Sequence, residues 1–476
     1  MIEDLKPYPQ YKDSGLPWLG QVPAHWEIAR SKRLFRQRKE FANPEDQQLS
    51  ATQAYGVIPQ ALYEKRTSYR VVKISMHLDK RKHVEADDFV ISMRSFQGGL
   101  ERAWAAGAIR SSYVVLEPSA KVSAGYFQHL FKSHQYINAL RATSDFIRDG
   151  QDLNFGNFCG VALPLIPLQE QAAIARFLAW ATNRLDRAIG AKRRIIALLQ
   201  EQRQAIIHRA VTRGLDPSVP LKDSGIPWLE EIPEHWEVWR ISRFAAVGNG
   251  STPSRAEPRF WTGGHYPWLN SSQINRGHID SSDQFVTPDA LRECHLPKVT
   301  AGSILVAITG QGKTRGMSAV LEAEATISQH LAFISPCRAI ASPEFLRLAL
   351  TAAYPQLRAI SDDSGSTKGA LTCEDLKRFY LPIPPAEEQT MLINRTQALT
   401  GDLLHSISRL ECEITLLREF RTRLIADVVT GKLDVREVAA GLPEEELQDQ
   451  PDVAAGYDAD EAEDDSDSDP IDTEED

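Results

Sequence analysis

The feature that most constrains the fold of this chain is a long stretch, residues 170–213, with no proline and only Gly190 as an interior helix breaker. Apolar residues recur along it in alternating steps of four and three, a spacing that is typical of a coiled-coil seam. The positions of this seam are Ile174, Leu178, Ala181, Leu185, Ala188, Lys192, Ile195, Leu199, Gln202 and Ile206. We therefore predict one continuous helix, about 65 Å long at 1.5 Å per residue.

A second copy of this stretch lies 218 residues downstream, and the two copies align without a gap. Both copies begin with the pattern L-P-x-x-P-x-x-E-Q and end with V-T-x-x-L-D. The second seam consists of Leu392, Thr396, Leu399, Leu403, Ser406, Leu410, Glu413, Leu417, Phe420 and Leu424. We interpret the two helices as partners of each other. Two amphipathic helices that pack on separate domains remain the alternative, because a heptad pattern over six turns is not unique to coiled coils.

The segments that precede each helix are also duplicated. Residues 12–27 and 222–237 share the pattern K-D-S-G-x-P-W-L followed by P-x-H-W-E, with eleven identical paired positions. A repeat of this size indicates two tandem modules. His25 and His235 recur beside tryptophan, and we predict that they are packing residues, because no other His, Asp or Glu recurs at a spacing suited to catalysis or metal binding.

The net charge of −10 hides an uneven distribution. Residues 444–476 carry 17 acidic side chains and no Lys or Arg, so residues 1–443 hold 54 basic against 47 acidic side chains. This composition predicts a mildly basic body and a disordered acidic tail.

Targeting signals and cysteine spacing suggest the compartment. No run of 18 apolar residues exists, and the first residues do not resemble a secretory signal, so we predict a soluble cytoplasmic protein without membrane contact. The five cysteines are scattered and never spaced as C-x-x-C. That pattern is typical of a reducing compartment, and it predicts no structural zinc and no other metal site.

Between the duplicated landmarks, each module reads as strands followed by a helix. Strands are predicted at residues 69–74, 89–94 and 113–116 in the first module and at 302–308 in the second. Helices are predicted at residues 124–142 and 343–360. Each module is therefore predicted to be an α+β domain.

Arg, Lys, Asn, Gln and small hydroxyl side chains crowd onto glycine-bounded loops of both modules. Arg and Lys suit guanine acceptors, Asn and Gln suit adenine, and hydroxyls suit phosphates, although ordinary solvated loops have a similar composition. The candidate DNA-contacting residues are Lys80, Arg81, Lys82, Arg94, Gln97, Arg102, Arg255, Asn270, Gln273, Arg276, Gln311, Lys313 and Arg315.

One segment, residues 307–314, partly matches a phosphate-binding loop. Alanine replaces the first glycine of G-x-x-x-x-G-K-[ST], and residues 315–318 do not begin a clear helix that could hold phosphates. A nucleotide hydrolase that uses Lys313 is therefore an alternative hypothesis. No methyltransferase, nuclease or hydrolase motif is present elsewhere, so we predict no catalytic residue and a binding subunit, with a pure scaffold as a further alternative.

Taken together, the doubled openings, the doubled helix starts and the glycine loops at 95–99 and 309–312 closely resemble the specificity subunit of type I restriction-modification systems. The resemblance covers about residues 10–435. It implies two target-recognition domains that each read half of a split double-stranded DNA site, with two antiparallel helices holding them apart. It also implies two docked methyltransferase subunits and further translocase/endonuclease subunits. S-adenosylmethionine, ATP and Mg are then expected in those partners, with no cofactor in this chain. A methylation-only system without a nuclease is the nearest alternative.

The resulting domain prediction has five segments. The first recognition domain spans 1–165 and the first coiled-coil helix spans 166–214. The second recognition domain spans 215–383 and the second helix spans 384–432. The acidic tail spans 433–476.

Overall fold

The computed structural model describes residues 5–67, 70–71, 80–93, 95–143, 153–310, 312–362 and 369–443. The chain divides into two compact units, one formed by residues 1–194 and 410–476 and the other by residues 195–409. Arg94, Gln311, most of the strand predicted at 69–74, and tail residues 444–476 lie outside the described residues.

Unit 1 is an α+β domain with short strands and small helices. Its main sheet is antiparallel, in the order Phe35–Arg38, Val114–Pro118, Phe89–Ile91 and Glu101–Arg102. Its other strands are Tyr11–Asp13, Gln21–Pro23, Glu27–Arg30, Leu49–Thr52, Gly56–Pro59, Lys82–Val84, Gly107–Ile109 and Ala162–Leu165. Its short helices are Ser31–Arg33, Gln60–Thr67, Ser95–Gly98, Ala124–Phe131, His134–Arg141, Phe155–Gly160 and Arg436–Ala440.

Unit 2 repeats the plan with a larger sheet. This sheet has the order Ala245–Asn249, Leu331–Pro336, Ile304–Ala307, Ser318–Leu321 and His278–Ile279. Its other strands are Leu221–Asp223, Glu231–Pro233, Glu237–Arg240, Tyr266–Leu269, Phe285–Val286, Thr326–Ile327 and Tyr380–Ile383. Its short helices are Ile241–Phe244, Pro258–Phe260, Ser271–Arg276, Pro288–Glu293, Pro343–Ala352, Tyr354–Asp362 and Cys373–Arg378. The predicted α+β class is confirmed.

The helix predicted over 124–142 is two helices, because Ser133 interrupts it. The Ser133 side chain accepts a hydrogen bond from the backbone of Tyr136 and caps the second helix. The region predicted as 343–360 is likewise divided, with Ala353 between its two helices.

Both predicted long helices are present, as Leu168–Arg213 and Ala386–Val429. Within unit 1 they run antiparallel, because Lys192 contacts Glu413 at 2.5 Å while Asp186 contacts Arg421 at 2.6 Å. Within unit 2, Ile207 and Val211 of the first helix share a buried cluster with Leu392 of the second. Each helix thus packs against the other inside both units.

The predicted seam is correct over the first part of the first helix. Farther along this helix, the buried residues occupy other positions than those predicted. Ile174, Leu178 and Leu185 are buried, but Ile195 is 46% exposed, and Ile207 rather than Ile206 is buried. A straight helix repeats every 3.6 residues, so the buried row moves away from a strict heptad by about 20° per repeat. The second helix shifts similarly, with Ile407 and Ile414 buried and Phe420 43% exposed.

A buried glutamate joins the duplicated opening of unit 1 to the start of the first long helix. Glu170 accepts hydrogen bonds from the Tyr8 hydroxyl at 2.7 Å and the Trp26 indole nitrogen at 2.9 Å. Its other carboxylate oxygen lies 2.7 Å from Nε2 of His25. Burial, together with the hydrogen bond to Glu170, raises the pKa of Tyr8 far above its ordinary value.

Unit 2 has the same junction in a simpler form. One carboxylate oxygen of Glu388 lies 2.8 Å from Nε2 of His235 and 3.0 Å from the Trp236 indole nitrogen. The two histidines, predicted to be packing residues, contact aromatic rings and are also polar partners of the helix start. This contact explains why P-x-H-W-E and E-Q are duplicated together.

The glutamine of each E-Q pair ties its long helix to the start of a short helix that lies earlier in the same unit. Gln171 accepts from the backbone of Ser123 at 2.8 Å and donates to the carbonyl of Ile166 at 2.7 Å. Gln389 accepts from the backbone of Ser342 at 2.9 Å and donates to the carbonyl of Pro384 at 3.0 Å. The same amide therefore fixes the position of the corresponding element in both units.

Candidate nucleic-acid interface

A cleft of about 900 Å³ lies in unit 1 between its α+β domain and the long-helix segments. Arg102 lies at this cleft, where its Nε is 2.8 Å from Asp87 and its NH1 is 3.1 Å from Oε1 of Gln128. The guanidinium lies 4.2 Å from the ring centre of Trp104. An arginine held over a tryptophan ring and by two side-chain hydrogen bonds keeps its position and offers a planar cation.

Further polar and aromatic groups line the same cleft, among them Tyr55, His129, Lys132, Arg423 and Lys432. Stacking surfaces combined with cations are the groups that nucleic acids engage. Tyr55, Trp104 and Lys132 are absent from the predicted set. Their signal in the sequence is weak, because they come from separate segments that only the fold brings together.

The other predicted residues of the first module are dispersed. Lys80 and Gln97 are exposed. Lys82 donates to the carbonyl of Tyr113, and burial lowers its pKa. Arg81 is only 7% exposed, and burial together with the charge of Arg110 lowers its pKa.

In unit 2 three of the predicted residues contact the neighbouring pair Asp283 and Gln284. Arg255 donates to Oε1 of Gln284, Gln273 donates to Asp283 at 3.3 Å, and Arg276 lies 3.8 Å from Asp283. Gln273 and Arg276 belong to one short helix, Ser271–Arg276, which explains their proximity.

Asn270 caps this helix, because its side-chain oxygen accepts from the backbone of Ser272 at 2.9 Å. A carbonyl oxygen fixed in this way sets the direction in which the amide group points. Asn270 therefore combines a structural role with a defined orientation beside the converging arginines.

Arg255 also lies on an aromatic surface. Its guanidinium is 3.7 Å from the ring centre of Trp261 and 5.2 Å from that of Trp268, and the two indoles meet edge to face at 5.3 Å. These tryptophans were not predicted as site residues. The arrangement resembles the Arg102 and Trp104 pair of unit 1 in chemistry, although it is built from different loops.

The segment that partly matches a phosphate-binding loop is a hairpin connection. Strand Ile304–Ala307 pairs antiparallel with Ser318–Leu321, so no helix N-terminus follows Lys313. The carbonyl of Lys313 accepts from the Tyr354 hydroxyl at 2.7 Å, and Arg358 donates to the carbonyl of Gly312 at 2.7 Å. Lys313 itself is exposed. The geometry lacks the helix dipole on which phosphate loops depend.

Three predicted contacts are almost completely buried: Arg81, Gln273 and Arg315, which is 3% exposed and pairs with Asp362. A side chain enclosed to this extent does not present its donors to a DNA groove. These three side chains therefore hold loops in place and do not belong to the proposed DNA-contacting set.

Two general properties hold over the described residues. No helix within the described ranges is both long and apolar enough to cross a membrane. Over the same part of the chain, no group of three His, Cys, Asp or Glu residues is positioned to hold a metal ion.

Comparison with known proteins identifies relatives of one kind. A family model described as the type I restriction modification DNA specificity domain matches residues 233–411. A putative type I restriction enzyme MjaX specificity subunit of Methanocaldococcus jannaschii is 21% identical over 88% of this chain and 96% of that protein. The EcoKI specificity subunit of Escherichia coli K12 is 24% identical over 60% of each chain.

A solved structure shares the fold. It is described as the structural basis of complex assembly and conformational transition of the type I R-M system, and it matches with a TM-score of 0.58 at 15% identity. The match covers 87% of this chain and 99% of that chain. It extends over both α+β units, so the tandem architecture is a shared one.

Proposed function

We propose that this chain, which belongs to the type I restriction-modification DNA specificity subunits, reads one half of a bipartite DNA sequence with each of its two α+β units. The observation that carries this proposal is the duplicated frame with divergent loops. Glu170 and Glu388 attach equivalent helix starts to equivalent openings, whereas the loops carrying Arg102 and Arg255 differ in sequence and structure. A frame that is repeated within the chain and carries two different reading surfaces suits a split, asymmetric DNA target.

The proposed reading surfaces combine cations with aromatic rings. Arg102 over Trp104 serves the first half-site, and Arg255 over Trp261, with Asn270 and Arg276, serves the second. Arg can form two hydrogen bonds with guanine, and Asn can do so with adenine. Exposed Lys80, Gln97 and Lys313 remain predicted contacts. Arg94 and Gln311 also remain predictions because they lie outside the described residues.

We further propose that the chain has no active site of its own. Methyl transfer from S-adenosylmethionine would belong to two methyltransferase partner subunits. ATP-driven translocation and cleavage, with Mg, would belong to translocase/endonuclease subunits. Bringing these subunits to one DNA sequence is the expected task of the chain. A methylation-only system remains the alternative, since it would use the same specificity subunit.

Co-expression with methyltransferase subunits tests the proposal. The methylated positions of the host genome, read by methylation-sensitive sequencing, should form a split motif with a constant gap. Replacement of residues 222–380 by the corresponding domain of another specificity subunit should change only one half of that motif. Methyl transfer by the purified chain alone, or a motif that changes in both halves, would contradict the proposal.

The nucleotide-hydrolase alternative is not favoured. The hairpin at Lys313 places an antiparallel strand where a phosphate loop has a helix. Its remaining support is the exposure of Lys313, which a DNA backbone contact would explain equally well.

A further inference from the structure

Two arginines of unit 2 lie on helices that pack against each other, and neither makes an ion pair within the described residues. Arg203 is on the first long helix and Arg347 is on helix Pro343–Ala352. Neighbouring Gln204 holds these helices together, because its side chain donates to the carbonyls of Thr351 at 3.0 Å and Ala352 at 3.3 Å. The pKa of Arg347 is lowered mainly by burial and further by the charge of Arg203, and the charge of Glu344 offsets only part of this effect.

Part of each guanidinium group lacks a hydrogen-bond acceptor within the described residues. Both side chains are half-buried, and both Nε atoms are buried without a hydrogen-bond acceptor among the residues that the structure describes. In the same part of the chain, no carboxylate lies within ion-pair distance of either arginine. Two like charges that have lost part of their hydration raise the energy of the unliganded protein, and a bound anion would relieve this.

In unit 1, an ion pair neutralises the arginine at the position equivalent to Arg203. The 218-residue repeat puts Arg421 at the position of Arg203, and Arg421 donates to Asp186 at 2.6 Å. The equivalent of Asp186 in unit 2 is Leu404, which is 46% exposed and cannot accept a hydrogen bond. Unit 2 has therefore lost the acid that balances this arginine in unit 1.

Unit 2 also has a second arginine, Arg347, at a position where unit 1 has an uncharged residue. Ser123 and Ser342 occupy equivalent places, because each donates its backbone N–H to the glutamine of an E-Q pair. Five residues beyond these serines lie Gln128 in unit 1 and Arg347 in unit 2. The three positions therefore hold Arg421, Asp186 and Gln128 in unit 1. Their equivalents in unit 2 are Arg203, Leu404 and Arg347.

The two units also differ in their overall balance of basic and acidic side chains. Without residues 444–476, unit 1 carries 33 basic and 25 acidic side chains, whereas unit 2 carries 21 basic and 22 acidic side chains. Unit 2 therefore has no general excess of positive charge to attract a polyanion. Unpaired cations at defined positions must supply that attraction.

We propose that Arg203 and Arg347 form a phosphate-binding site of unit 2, occupied by a phosphodiester of the DNA backbone. This inference rests on the proposed DNA-reading function. A guanidinium group matches the oxygens of a phosphate by directed hydrogen bonds, so two arginines on packed helices can bind the same phosphate.

The site adjoins the candidate reading loop. A Cβ atom at Gly277 would lie 3.8 Å from NH1 of Arg347, and Gly277 directly follows helix Ser271–Arg276. Phosphate contacts fix the register of a protein on DNA, while neighbouring side chains read bases. Arg203 and Arg347 would thus position the loop of Asn270 and Arg276 without reading sequence themselves.

The DNA arm of the test uses the complete chain with its methyltransferase partners. Arg203→Gln and Arg347→Gln should each reduce the slope of log affinity against log salt by about 0.9, the value for one lost phosphate contact. The methylated motif should stay unchanged. Arg209→Gln is the matched control, because Arg209 is an exposed arginine of the same helix. Its slope should remain that of the wild type.

Leu404→Asp supplies a second, independent variant. It restores at the equivalent position the carboxylate that Asp186 provides in unit 1, and the exposed position tolerates a polar side chain. The introduced carboxylate should form an ion pair with Arg203. This ion pair should weaken DNA binding at low salt without changing the methylated motif. Unchanged binding in this variant would contradict the site.

A DNA-free arm separates the two possible sources of phosphate. Thermal unfolding of the purified chain is measured in inorganic phosphate and in chloride at equal ionic strength. Phosphate should raise the Tm of the wild type more than that of Arg347→Gln or Leu404→Asp. Equal stabilisation of all three would overturn the site. Stabilisation limited to the wild type, combined with unchanged DNA slopes, would assign the site to a free anion and overturn the DNA assignment.

Failure of the site is distinguishable from failure of the proposed function. Absence of specific DNA binding by the wild-type complex would contradict the function as a whole. Specific binding with a wild-type salt slope in both arginine variants would overturn only the phosphate site.

Discussion

The indole nitrogen of Trp26 lies 2.9 Å from Oε1 of Glu170, and both side chains are almost completely buried. The contact joins residues 144 positions apart in the chain. It brings the opening of the first module onto the start of the first long helix. Trp236 and Glu388 repeat it in unit 2 with the carboxylate more exposed, at 22%.

The difference in exposure predicts unequal costs of removing the two carboxylates. Glu170→Ala would leave the buried Trp26 indole and the Tyr8 hydroxyl without acceptors, at about 1.5–3 kcal/mol for hydrogen bonds to a charged group. Glu388→Ala should cost less, because water can replace the lost acceptor. Urea unfolding of both variants, followed by tryptophan fluorescence, measures the difference. Equal costs would show that burial does not control the strength of this junction.

The stability of unit 1 should depend on the protonation of His83. Nδ1 lies 2.7 Å from Asp46 and Nε2 lies 3.0 Å from Glu85, and the hydrogen bond to Glu85 is the main cause that raises the pKa of His83. A raised folded-state pKa contributes stability that is complete below the unfolded value of about 6.5. This contribution should disappear as the pH rises through the folded pKa.

His83→Gln tests this pH dependence. The Tm difference between the wild type and this variant should be largest at acidic pH and should shrink as the pH rises through the folded-state pKa of His83. Histidine NMR titration of the wild type should give a pKa above the ordinary value for His83. A Tm difference that is constant with pH would argue for a purely steric role.

Substitutions in the two reading surfaces should act on separate half-sites. Arg102→Ala should cost about 1–3 kcal/mol of specific binding and relax one position of one half-site, and Arg255→Ala should do the same in the other half. Each variant is the control for the other. Methylation-sensitive sequencing of co-expressed complexes gives the motifs. Relaxation of the same half-site by both variants would contradict the assignment of one half to each unit.

Adjacent isoleucines test the displaced helix seam. Ile207 is 2% exposed, whereas Ile206, which the heptad pattern favours, is only partly buried. Ile207→Ala should destabilise unit 2 by about 2–5 kcal/mol, the range for a large-to-small change in a core. Ile206→Ala should cost clearly less. Denaturant unfolding of the two variants compares these costs directly. A larger cost for Ile206→Ala than for Ile207→Ala would support the strict heptad pattern instead.

Lys313→Ala should leave any association with ATP unchanged, because the hairpin around Lys313 lacks the helix N-terminus of a phosphate loop. Equilibrium dialysis of ATP against the wild type and the variant tests this. Binding that is saturable in the wild type and lost in the variant would revive the nucleotide-binding alternative.

The sequence alone determined the repeated features of this protein. Gap-free duplication and the apolar spacing predicted both long helices to within a few residues of their ends. The doubled openings predicted tandem modules, and the strand and helix signals predicted the α+β class. These properties depend on local periodicity and on comparison of the chain with itself, so they are visible without coordinates.

Tertiary structure alone decided which side chains meet. The seam moved because a straight helix does not keep a 3.5-residue repeat, and Ile207 replaced Ile206 as the buried residue. Arg102 met Trp104, Arg255 met Trp261, and the helices of Arg203 and Arg347 were joined by Gln204. Loop composition predicted the kinds of residue at these sites. Burial and charge pairing, which depend on non-local packing, decided which of them are available to bind.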